Sequence, residues 1–138
     1  MRHPLHPALV HFPLACWSLA ATADFASLWW GEAAWRWSAW LLAVGSGMAV
    51  LAMLAGLLEL ARVPDGPALR DAHAHMAAML VAFSAFTMRL LVRLEHHSPL
   101  PPDGLALLLD AVGLVALVIG GWVGGRLGFG HGVGRGLR

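Results

Sequence analysis

Four apolar stretches, each long enough to cross a bilayer as a helix and joined by short polar connections, leave this chain few folds to choose from. In hydrocarbon every backbone N–H and C=O must find a partner within the protein, and a continuous helix does this within its own segment. The apolar runs predict helices over about 8–30, 34–61, 69–94 and 104–129. Consecutive spans with short loops must run up, down, up, down. The expected fold is therefore all-α, a transmembrane four-helix up-down bundle forming one domain over 1–138, with both termini on the same side. Composition agrees, since 59% of the 138 residues are hydrophobic and only 12% are charged. The lipid bilayer is the first partner.

Local signals place the boundaries. Pro7 suits a first helical turn, and Pro13, one turn on, removes a donor to the carbonyl of Leu9, so the helix start is expected to be irregular around His11. Trp29, Trp30, Trp35 and Trp37 mark a membrane interface around the turn at Gly31 and Glu32. The turn Pro64–Pro67 separates the second and third helices, a proline-rich exposed loop with His96 and His97 separates the third and fourth, and Asp103 is positioned to cap the fourth. Pro13 to Cys16 resembles a lipoprotein cleavage site only weakly, and the expectation is a retained first helix rather than a cleaved leader.

Several classes of function are excluded or disfavoured. The nine basic residues, all arginine, are scattered over loops and helix ends, so no nucleic-acid partner is indicated. With a single cysteine, Cys16, there is no internal disulfide, no CxxCH haem attachment and no thiolate cluster. No GxSxG, HExxH or phosphate-binding loop is present, which favours a binding or electron-transfer protein over a stand-alone enzyme.

Histidines carry the chemistry that remains. Alternating spans bring His3, His6, His11, Glu59, Asp71, His73, His75 and His131 to one side of the membrane. The leading expectation is a b-type haem in that half of the bundle, with His11 and His75 as axial ligands and His73 or His131 as further candidates. His73 and His75 lie about 200° apart on a helix, so only one faces inward; His75 is preferred because Met79, Ala82 and Phe86 continue its stripe. Arg70 and Arg126 are candidate partners of haem propionates, and the remaining histidines candidate proton relays to a quinone. Glycines at 120, 124 and 128, with a second row at 121 and 125, suit close helix packing through GxxxG contacts, within the bundle or between copies, or the face of a porphyrin. The alternative cofactor is a bare transition metal, zinc, copper or iron, on His3, His6, His11, Glu59, His75 and His131. A third reading is a cofactor-free accessory subunit.

The opposite side offers Asp24, Arg89 and Asp110, each roughly 8–9 Å below the interface at 1.5 Å per residue. A charge network that fixes packing is the preferred reading of this triad over proton transfer. Arg2, Arg62, Arg70, Arg126, Arg135 and Arg138 share the histidine side, against Arg36, Arg89 and Arg93 on the other, which puts the termini in the cytoplasm.

HPLHPALVHFP at 3–13, GLLE at 56–59, the histidine opening the third helix and GGWVGGRLGFGHGVG near the end together resemble an uncharacterised bacterial membrane family, domain of unknown function 2231. The similarity spans essentially the whole chain. It implies four transmembrane helices, with the family's motif histidines at His3, His6, His11 and His131 and with Glu59 where the family usually carries aspartate. Family members fused to Rieske iron–sulfur or c-type cytochrome domains imply electron transfer with such a partner.

Overall fold

The computed structural model describes residues 5–96 and 98–132, with only the backbone of Leu5. Four α-helices dominate: α1 (Leu5–Trp30), α2 (Glu32–Leu60), α3 (Pro67–Val92) and α4 (Gly104–Gly125), the last continued by a π-helical turn, Arg126–Gly130. All four are long and apolar enough to cross a membrane. α1 packs chiefly on α2 and α3 chiefly on α4, so the bundle is two helical hairpins laid together more lightly. Contacts of His6 with Glu59 and His75, and of His131 with Asp71, show that the start of α1, the end of α2, the start of α3 and the end of α4 share one end.

Two boundaries differ from expectation in ways that bear on the site. α1 begins at Leu5 and passes through Pro13 without interruption. A proline so near the N-terminus deletes one backbone bond and leaves the rest of the ladder to hold the helix. His6 is thus helical, although the expected first helix began only at about residue 8. Between α3 and α4 the expected loop contains a short antiparallel ribbon, β1 (Leu94–Glu95) on β2 (Ser98–Pro99), with His96 in the left-handed region at φ 48°. Arg93 fastens this connection by donating to the carbonyl of Pro101 at 2.6 and 2.9 Å and to Asp103 at 3.1 Å. Asp103 caps α4 as expected, accepting from the N–H of Ala106 at 2.9 Å.

The bundle is small inside and large outside. Alanines 20, 21, 82 and 106 are fully buried, whereas Leu58, Val118, Trp122 and Trp30 are exposed. Lipid tails are as apolar as leucine, so nothing drives large side chains inward; close approach over small residues supplies the packing instead. The large core residues are Trp17, Leu42 and Phe86. Trp17 stacks on Phe86, centroids 5.2 Å apart and planes 18° from parallel, and its indole N–H donates to Ser46 at 3.3 Å.

Candidate functional site

His6, in the first turns of α1, and His75, in the third turn of α3, face each other at the shared end, ring centroids 6.2 Å apart and planes at 85°. Each ring lies against a glycine of the neighbouring helix. A Cβ on Gly56 would sit 3.0 Å from the His6 ring, and one on Gly124 would sit 3.0 Å from the His75 ring, so both approaches need the missing side chain. Nδ1 of His6 is 2.7 Å from the carbonyl of Ala52, and Nδ1 of His75 is 2.8 Å from the carbonyl of Gly120. A carbonyl only accepts, so both Nδ1 atoms must donate and both neutral rings carry their lone pair on Nε2. Glu59 completes the group by accepting the backbone N–H of His6 at 3.4 Å.

The other candidate residues take different places. His11 is exposed on the outside of α1, five residues and so about 140° around the helix from His6; the two cannot face inward together. It does not meet His75. His73 is exposed and His75 half-buried, the orientation expected from the apolar stripe. Arg70 is exposed. His131 joins neither imidazole but bonds Asp71 through Nε2 at 3.0 Å, and Arg126 reaches the same carboxylate at 3.1 Å while lying over the Trp122 ring. His3 lies outside the described residues. Among the described residues no three His, Cys, Asp or Glu side chains gather as a metal-binding group.

The glycine rows have separate uses. Gly120 and Gly124 receive Met79 and His75 of α3, a Cβ at Gly120 falling 2.7 Å from the methionine sulfur, whereas Gly121, Gly125 and Gly128 have nothing within 4 Å. At Gly120 and Gly124 the missing side chains serve the packing of α3 on α4. Two surface grooves, one at Trp122, Gly125 and Phe129 and one at Val81, Val115 and Ile119, are reached by neither imidazole.

At the far end of the bundle the expected triad is assembled. Arg89 pairs with Asp24 and lies 3.8 Å from Asp110, and all three side chains are at most 1% exposed. Arg89 also donates to Ser38 of α2 at 3.3 Å, and Ser38 donates to the carbonyl of Trp35, so four helices meet here. Sequence reasoning missed Ser38, whose only signal was its position two turns into a span.

Comparison with known sequences agrees with this architecture. A family model described as a predicted membrane protein, DUF2231, matches residues 2–136. The chain belongs to this family. A search of curated proteins and a search of solved structures found no match. DUF2231 thus adds membrane character and leaves the chemistry to be argued from the site itself.

Proposed function

We propose that this DUF2231 protein is an integral membrane metal-binding protein, and that His6 and His75 are its ligands. The observation that carries this is the matched pair of Nδ1–H donations to the carbonyls of Ala52 and Gly120. Metal-ligating histidines typically donate their second nitrogen in this way, which fixes ring orientation and leaves the other nitrogen for the ion. The ring centroids, 6.2 Å apart, are close enough for one ion to reach both rings with metal–nitrogen bonds of about 2.0–2.1 Å. Imidazole with a nearby carboxylate, Glu59, suits zinc, copper or iron. With copper or iron bound, the site would exchange electrons with a quinone or with a Rieske or cytochrome partner. A b-type haem on the same imidazoles is the weaker reading, because Met79 and His75 occupy the positions along Gly120 and Gly124 that its face would take. The excess of arginine at the histidine end supports a cytoplasmic placement of that end in the bacterial inner membrane.

Elemental analysis and an absorption spectrum of the detergent-purified protein test the proposal together. One ion per chain is expected, lost in His6→Ala and in His75→Ala and kept in His11→Ala and His73→Ala. A Soret band lost in the same two variants would replace the ion by haem. Neither metal nor haem after expression with both supplied would overturn both readings in favour of an accessory subunit.

A further inference from the structure

The Asp24–Arg89–Asp110 triad is independent of the imidazole pair, sits at the other end of the bundle and has an unbalanced charge. Asp24 and Asp110 are 0% exposed and Arg89 is 1% exposed. Two carboxylates and one guanidinium would leave one net negative charge in a low-dielectric interior, where an isolated charge is so costly that the group neutralises instead. Among the described residues nothing else near the triad supplies the missing positive charge. Ser38 on α2 is uncharged; Glu32 and Arg36 pair with each other at 3.3 Å on the exposed face of α2; Arg93, just past the end of α3, is engaged by Asp103. The hydrogen bonding shows the same deficit. Among the described residues neither oxygen of Asp110 has a hydrogen-bond donor, nor does Oδ1 of Asp24; Arg89 Nε, itself unpartnered, stops 3.8 Å short of Asp110, and Asp110 adjoins Asp24.

We propose that Asp24 and Asp110 share one bound proton, making the triad a buried, exchangeable proton site with no net charge. The proton forms an O–H bond on one carboxyl and is donated to the facing carboxylate oxygen, supplying a donor to an oxygen that lacks one. On release the O–H bond breaks, its electron pair stays on the carboxylate and the proton passes to water. Arg89 then faces two anions. Asp24 is six residues from the end of α1, about 9 Å of helix, so the proton exchanges with the side opposite the histidines.

Infrared spectroscopy of the full-length protein in lipid vesicles at neutral pH tests this. A protonated carboxylic C=O band that shifts in D2O is expected in the native protein and lost in both Asp110→Asn and Asp24→Asn, each of which leaves a neutral Arg–Asp pair. Absence of the band from the native protein overturns the proposal, as does its full persistence in both variants, which would assign it to another carboxyl such as Glu59. Thermal melting of the native protein gives a readout that needs no variant at the triad. The chain has no lysine and no tyrosine, so in a Cys16→Ala background the alkaline range is free of other ordinary side-chain titrations. A proton held by the folded state stabilises it below the pH of release, so the midpoint should fall as pH rises. A midpoint indifferent to alkaline pH overturns the proposal.

Discussion

Replacing Gly113 by alanine should be the most damaging single-methyl insertion in α4, and the structure says why. The added Cβ would lie 2.6 Å from two atoms of the Phe86 ring, so that ring must move by close to an ångström to reach ordinary contact. Phe86 has nowhere to go. It is fully buried and stacked on Trp17, and Trp17 is in turn held against Gly45, where a Cβ would lie 2.9 Å from its ring. Overpacking a closed site of this kind costs about 1–3 kcal/mol. Gly120→Ala meets the flexible end of Met79 at 2.7 Å and Ala78 only at an ordinary 3.5 Å, and should lie near the bottom of that range or below it. Gly121→Ala meets nothing within 4 Å and should be neutral, or stabilising by up to about 1 kcal/mol from the lower helix propensity of glycine. Reversible unfolding in mixed micelles, followed by tryptophan fluorescence, ranks the three. Combining Gly113→Ala with Phe86→Leu should recover part of the loss, since the two residues share one space. If Gly113→Ala proved as stable as Gly121→Ala, the stacked Trp17–Phe86 layer would not be the packed centre described above.

Other perturbations follow from the ends of the bundle. Arg89→Gln removes the cation facing two buried carboxylates and should cost about 3–5 kcal/mol or prevent assembly, measured by the same unfolding assay. Asp71→Asn loosens Arg126 and His131 together, but Arg126 is 51% exposed; the loss should stay within about 0–1 kcal/mol and shrink further in high salt. The N–H of Ala106 holds the Asp103 carboxyl below the usual carboxylate range, so the capped first turn of α4 is present at neutral pH and should fray as pH falls through that lowered value, seen as faster amide exchange at Ala106. Asp103→Ala should show that fast exchange at every pH.

The two histidine assignments illustrate what a membrane sequence hides. His75 was legible as inward because Met79, Ala82 and Phe86 extend its stripe. His11 lacked such a guide: α1 is apolar nearly all round, and a histidine deep in the apolar run is the one that sequence reasoning prefers. The structure turns His6 inward instead, because helix begins at Leu5 and Ala52 offers a carbonyl beside Gly56. That carbonyl is available only where glycine lets α1 approach α2, a fact about two segments some fifty residues apart. His131 was likewise placed at the correct end, yet its partner, Asp71, depends on the π-helical turn that ends α4.

Hydropathy and loop length by themselves determined that this chain makes four spans, which helix ends share a side, and that Asp24, Arg89 and Asp110 lie at one depth. Those properties depend on axial position, which is a count of residues. Only the tertiary structure decided that His6 rather than His11 turns inward and meets the ring of His75. Rotation about the axis of an all-apolar helix is set by where glycine and alanine allow neighbouring backbones to meet, and that is a property of pairs of helices rather than of any one segment.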